Sequence, residues 1–424
     1  MRGLTSLAAA SAWNRRGTLA LVAASIALAT LLLLTVERVR HDVRENFSRA
    51  VSGTDLVVGA RTGAVQLMLY AVFHVGGATS NIRVQSLEEI ARQRMVAWVV
   101  PLSLGDSHRG FPVLGTTPAF FEHFRHGDRE PLRLAAGQPF SGTLDGLYGA
   151  VLGAEVARTL GHGLGAHIVL AHGSGGPLAA EHADKPFTVV GILAPTGTPV
   201  DRTVHIDLKA LEAIHLDWSG GAPLPGLAIP PEMARKFDLQ PKSVTAALVG
   251  LKNRAAVFAV QRFVNGYEGE PLMAVLPGVA LDELWEVVGA GERALLLLSG
   301  LVALVSLAGL VATVLAGLNE RRRELALLRA VGAAPRHVML LLALEGTLVT
   351  LAGLALGLLA SVILIATLGP WVQAQYGLAL RLTAPTAAQW QWLAAVLAAG
   401  VLASLVPGWR AWRLSLADGL SPRI

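Results

Sequence analysis

The sequence predicts an α-helical membrane protein with four transmembrane helices and a large mixed α/β extracytoplasmic domain inserted between helices 1 and 2. Three observations lead there. The 424 residues are 53% hydrophobic and only 15% charged, with a mean hydropathy of +0.52, too apolar for a soluble domain of that length. Four segments, at 17–36, 290–318, 338–368 and 390–412, are long enough in apolar residues to cross a hydrocarbon core of about 30 Å as helices. The basic residues behind the net charge of +5 gather beside these segments, which fits topology signalling and membrane lipid rather than nucleic acid. With no cysteine in the chain, disulfide frameworks, thiolate catalysis and Cys-based zinc or iron–sulfur sites are excluded.

The first span, 17–36, follows Arg15 and Arg16 and contains Ala27-Leu28-Ala29, as a cleavable signal would. Leu31 to Leu34 prolong it beyond the 7–15 apolar residues typical of a signal peptide, so an uncleaved anchor is expected. Orientation follows from arginine. Arg2, Arg15 and Arg16 precede the first span, Arg321, Arg322, Arg323, Arg329 and Arg336 fill 319–337, and Arg410, Arg413 and Arg423 close the chain. The loop 369–389 carries only Arg381. The N-terminus 1–16, the loop 319–337 and the tail 413–424 are therefore expected in the cytoplasm, and 37–289 outside a bacterial inner membrane.

Within 37–289, short apolar runs bordered by Gly or Pro predict strands at 55–59, 95–104, 111–114, 166–170, 187–193, 244–251 and 272–276. Amphipathic stretches predict helices at 118–124, 154–160, 208–214 and 254–265. The strand–helix–strand pattern of 244–276 should pair with an early strand from the other end of the domain. The Gly- and Pro-rich middle, about 101–241, reads as a subdomain inserted between two porter-like halves. Leu281 to Glu286 lead into the second span, 290–318, without a helix breaker, and 37–50 prolong the first span in the same way, so both spans should extend outward as stalks.

Residues 319–337 hold the most informative cytoplasmic segment. Leu325, Leu328 and Val331 share one helical face, and Gly332 with Pro335 supplies a stop. On the residues alone, a topology-setting basic loop and a docking helix for another protein remain equally open. In the third span, 338–368, Gly346, Gly353, Gly357 and Ser361 leave a smooth face, and the Gly353-x-x-x-Gly357 spacing suits close helix packing. Glu345 is an intramembrane acid and a functional candidate, with Arg336 or His337 as a partner at the membrane edge. The fourth span is 390–412.

Constellations for chemistry are sparse. Eleven of the twelve histidines fall outside the membrane, and His162, His167, His172 and His182 lie close in sequence. None makes a His-x-x-x-His pair or a His-Glu-x-x-His motif, so they are expected to be solvated loop residues and no metal site is assigned. Gly105-Asp106-Ser107 after a strand suggests a hydrolase nucleophile, but the chain lacks an Asp-x-x-His motif and a turn is expected. Gly161-His162-Gly163-Leu164-Gly165 is a fragment of a dinucleotide loop that follows a helix rather than a strand, so it too is expected to be a turn. There is no Gly-x-x-x-x-Gly-Lys-Ser/Thr loop. No catalytic residue and no cofactor are assigned, and any ATP-driven step requires a partner.

These residues resemble the FtsX-like permeases of ABC transporters, the group that includes macrolide-exporter and lipoprotein-release permeases. The run from Glu320 to Pro335 is similar to that family's coupling segment, Arg-Arg-x-Glu-hydrophobic-x-x-Leu-Arg-Ala-hydrophobic-Gly-Ala. Glu345 and the glycines after it resemble the family's third span, and Val406-Pro407-Gly408-Trp409-Arg410-Ala411 its closing motif. Outside, Ala150-Val151-Leu152-Gly153-Ala154-Glu155-Val156-Ala157 and Phe187-Thr188-Val189-Val190-Gly191-Ile192-Leu193 look like the MacB-like periplasmic core domain.

The resemblance implies a permease that pairs with a second copy, as homodimer or heterodimer, and docks two ABC ATPase subunits. Glu324, Leu325, Leu328, Arg329 and Gly332 would form the docking element, and ATP-driven closure would pass to the external domain by mechanotransmission. Only a short segment precedes the first span, so the ATPase is expected to be a separate polypeptide. A periplasmic adaptor or substrate-binding protein is a further expected partner. Members of the family export drugs, peptides or lipoproteins, and others move nothing but activate an external enzyme or adaptor, so cargo is not fixed by the resemblance.

Overall fold

The computed structural model of the protein describes residues 16–76, 80–173, 180–219, 222–224, 226, 228–320, 333–376, 380 and 382–413. Two compact units divide the chain, with cuts between Asp42 and Val43 and between Val287 and Val288, and with 372–379 grouped with the second unit. Among the described residues, four helices are long and apolar enough to cross a membrane. They are Arg16–Arg49, Pro277–Glu320, Pro335–Tyr376 and Ala387–Arg413.

The second of these has 44 residues, a length of about 66 Å at 1.5 Å per residue, so only part of it is needed to cross lipid. Helix Pro277–Glu320 begins before Leu281, and Arg16–Arg49 runs past residue 37. The third helix is longer than its predicted span, continuing through Pro370 to Tyr376. Proline removes one backbone donor, and residues 371–376 after it still continue the helix.

The external unit is built on one mixed sheet of 11 strands. They are β1 (Leu56–Ala60), β2 (Val96–His108), β3 (Phe111–Thr116), β4 (Leu134–Gly137), β5 (Gly149–Leu152), β6 (His167–Ile168), β7 (Ala171–His172), β8 (Phe187–Leu193), β9 (Val204–Asp207), β10 (Ala246–Leu251) and β11 (Leu272–Val275). Their order is β11-β1-β10-β2-β3-β9-β5-β8-β4, with β7 beside β2 and β6 beside β8. The β3/β9 and β5/β8 pairs are parallel. Val57 faces Leu248 on one side and Val275 on the other, so the first strand is held between the last two, as the pattern of 244–276 predicts.

Apolar side chains explain the layers. Leu56, Val58, Leu272 and Ala274 pack with Ile90 of helix Val84–Ala91 and with Val260 and Val264 of helix Val257–Asn265. Leu152, Phe187 and Ile206 pack with Val156 of helix Ala154–Leu160 and Ile214 of helix Leu208–His215. A third cluster gathers Val57, Tyr70, Val100, Phe120 and Leu248. Each such large side chain removed from water contributes about 1.5–3 kcal/mol. Where the helices Arg16–Arg49 and Pro277–Glu320 lie within this unit, Phe47 stacks on Phe73 at 4.2 Å between ring centroids and meets Trp285 edge-on at 5.6 Å.

One difference from the sequence expectation matters for function. Gly105-Asp106-Ser107 does not turn the chain; it lies inside β2, which runs four residues past its predicted end. A register shift between Leu104 and Asp106 marks a bulge there. Pairing with β3 on one side (Asp106 opposite Val113) and β7 on the other (Asp106 opposite His172) overrides the local turn preference. The run Gly161 to Gly165 does form a turn: Gly161, at φ 67°, ends helix Ala154–Leu160 in the left-handed conformation.

Candidate functional site

The coupling residues Glu324, Leu325, Leu328, Arg329 and Gly332 lie outside the described residues. Glu345 lies on helix Pro335–Tyr376 and is 3% exposed. At the start of that helix His337 Nδ1 accepts the Ala334 N–H at 3.2 Å.

Glycines let this third spanning helix meet two others at backbone distance. A methyl group on Gly353 would come within 2.7 Å of the Ile26 side chain and 3.0 Å of the Ala23 carbonyl oxygen. One on Gly357 would meet the Thr30 side chain at 2.6 Å and the Ala27 oxygen at 2.7 Å. On the side of the fourth helix, Gly346 abuts Ser404, Gly400 abuts Thr350 and Gly408 abuts Met339. Polar contacts tie the first helix to the fourth and the second: Gln389 Nε2 donates to the Leu34 carbonyl at 3.0 Å, and Ser306 Oγ to the Ser25 carbonyl at 3.1 Å. In lipid such hydrogen bonds contribute about 0.6–2 kcal/mol each. The first helix also carries a buried ion pair, Arg38 Nε to Asp42 Oδ2 at 3.1 Å, and Arg40 reaches Glu292 Oε2 at 3.0 Å.

In the external unit, four side chains converge from separate segments: Asp106 on β2, His172 on β7, His182 before β8, and His215 at the end of helix Leu208–His215. Asp106 Oδ1 lies 3.0 Å from His172 Nδ1 and 3.6 Å from His215 Nε2, and those two nitrogens are 3.3 Å apart. His215 Nδ1 donates to the Leu211 carbonyl at 2.8 Å. His182 is fully buried, with its ring 4.0 Å from that of Trp218. Neither of its nitrogens, nor Asp106 Oδ2, has a partner among the described residues. Each unpaired buried polar atom costs about 1–3 kcal/mol.

Burial holds the His182 imidazole down at about 4, with the Asp106 charge pulling the other way. For His215, burial opposes protonation, but the hydrogen bond and charge of Asp106, the Leu211 carbonyl and Glu212 outweigh it and raise its pKa. Close by in the fold, fully buried Lys185 bonds both carboxylate oxygens of Asp217 at 2.9 Å.

The expectation of solvated loop histidines is therefore corrected. His182 is fully buried, held where its backbone N–H donates to the Leu170 carbonyl at 2.8 Å and its ring packs on Trp218. Only His167 of the four sequence-clustered histidines stands exposed on β6, while His162 Nε2 meets His108 Nε2 at 3.1 Å. Asp106 and His215, which complete the cluster with His172 and His182, carry no shared sequence signal, since 66 and 43 positions separate them from His172.

Two family models match the chain in succession. The MacB-like periplasmic core domain covers residues 17–262, and the FtsX-like permease C-terminal model covers 296–416. Among solved structures, the chain is similar to the periplasmic region of MacB from Actinobacillus actinomycetemcomitans, at 11% identity and a TM-score of 0.33, over 56% of this chain and 95% of that one. It is also similar to the extracellular domain of the noncanonic ABC-type transporter YknZ from Gram-positive bacteria, at 12% identity and a TM-score of 0.31, over 52% of this chain and 98% of that one. No curated protein matches the sequence.

Proposed function

Because the chain belongs to the family that carries the MacB-like periplasmic core domain, we propose that it is the membrane-spanning permease of an ABC transporter, driven by a separate pair of ATPase subunits. ATP hydrolysis by those subunits moves the external domain, and this movement exports or extracts a substrate. The observation that carries the reading is the succession of both family models along one chain, the second of them over the last three spanning helices. The sequence has no phosphate-binding loop of its own, which supports a non-enzymatic subunit whose energy comes from the partner.

In this reading the cytoplasmic run with Glu324, Leu325, Leu328, Arg329 and Gly332 seats the ATPase, with Leu325 and Leu328 as its apolar contact and the arginines around them. Two helices that continue from the membrane unit into the external unit, Arg16–Arg49 and Pro277–Glu320, support transmission of the stroke. A second permease copy completes the assembly.

The test is copurification of the full chain with candidate ATPases, wild type against a Leu325→Asp, Leu328→Asp double variant. Burying charge in the docking face is costly, so the variant should reach the membrane normally and lose the ATPase. Equal recovery of the ATPase with both proteins would reduce the segment to a topology signal and overturn the docking assignment.

A further inference from the structure

Asp106, His172, His182 and His215 form a four-ligand arrangement assembled from four separate segments of the external unit. From each of the four, one ligand atom lies within 4.8 Å of the others. Three of the separations are 3.0, 3.3 and 3.6 Å. A tetrahedral ion with bonds of about 2.0–2.1 Å to nitrogen or oxygen has ligand atoms roughly 3.3 Å apart, so three edges of that figure are already in place.

The donors are also prepared for a metal. A carbonyl oxygen only accepts, so the contact between His215 Nδ1 and the Leu211 carbonyl puts the ring proton on Nδ1 and turns the Nε2 lone pair toward Asp106 and His172. This is the outer-shell arrangement that fixes the tautomer of metal-bound imidazoles. His182 is wholly buried with both nitrogens unpartnered among the described residues, and Asp106 is 4% exposed with Oδ2 unpartnered. His172 and His215 keep side-chain exposures of 39% and 29%, which leaves the site open to an ion from solvent.

We infer that these four residues bind one Zn2+ ion per chain, held by three imidazoles and one carboxylate, and that the ion ties β2, β7, the segment before β8 and the end of helix Leu208–His215 together. Three nitrogen donors disfavour Mg2+ and Ca2+, which take oxygen. A compact four-donor set with one carboxylate suits Zn2+ over the tetragonal preference of Cu2+. With all four positions supplied by protein, the ion is structural rather than catalytic.

The experiment uses the full chain in detergent, stripped with a chelator and titrated calorimetrically with Zn2+ alone. One ion per chain should bind, and the thermal unfolding midpoint should rise with Zn2+. Asp106→Asn and His182→Ala should each lower affinity by more than the roughly 10–100-fold seen when only an outer-shell partner is lost, whereas His167→Gln on β6 should not change it. X-ray absorption of the zinc-loaded wild type gives a measure independent of variant folding and should report three imidazoles. Failure of the wild type to take up Zn2+, uptake that Asp106→Asn and His182→Ala leave unchanged, or fewer than two imidazoles around the ion would each overturn the inference. None of these readouts involves the ATPase, so they stand or fall apart from the transport reading.

Discussion

His205 is fully buried on β9, where its Nδ1 donates to the Val151 carbonyl at 3.3 Å. Burial, and after it the neighbouring His74, pushes its pKa down to about 3 from an ordinary value of 6.5. The unfolded chain therefore binds a proton here that the folded chain refuses. Stability is unaffected above pH 6.5 and falls as pH drops below it, by up to about 1.4 kcal/mol per pH unit, until the folded-state pKa is reached. Melting curves between pH 7 and 4 should show a shallower acid loss for His205→Gln than for wild type; parallel slopes would count against this role. At this scale little of the external site was legible in sequence. The spacing of His162, His167, His172 and His182 suggested loops, because the groups that organise two of them, Asp106 and His215, lie on a distant strand and helix. Metal-binding motifs are readable when ligands share one helix or one turn, and here each comes from a different element.

At the scale of elements, the third spanning helix is flanked by glycine contacts on two sides. A leucine at Gly357 has no room beside Thr30 and the Ala27 backbone, and overpacking of this kind costs about 1–3 kcal/mol. Gly357→Leu should lower the thermal midpoint of the detergent-purified chain, while Gly309→Leu, with nothing within 4 Å of its added carbon, should leave it nearly unchanged. Much at this level was legible. The helix 154–160 and the strand 187–193 fall at their predicted bounds, because apolar residues recur with the right period and Gly or Pro closes them. Strand β9, Val-His-Ile-Asp, was not legible; an alternation of four residues has meaning only once β3 and β5 flank it. The helices Ala64–Ala71 and Val84–Ala91 were missed as well, each only 8 residues long and neither with a side-chain hydrogen bond at its N-cap.

For the whole molecule, the absence of cysteine makes topology directly testable, since any introduced cysteine is unique. Gly163 is exposed with open space around it, so Gly163→Cys should react with an impermeant maleimide added outside the inner membrane. Ser421→Cys should react only after the membrane is permeabilised. Labelling of Ser421→Cys in intact spheroplasts would reverse the orientation read from the arginines.

The place of β1 in the sheet also sets a timetable for synthesis. Roughly 190 residues separate Ala60 from its partner region at Ala246, and at about 5–20 residues per second the ribosome needs some 10–40 s to supply them. Throughout that interval Leu-Val-Val-Gly-Ala has neither of its neighbours made, and both of its hydrogen-bonding edges are open to any other strand. The domain cannot close until nearly its last strand has emerged, so its early half depends on whatever shields the nascent chain.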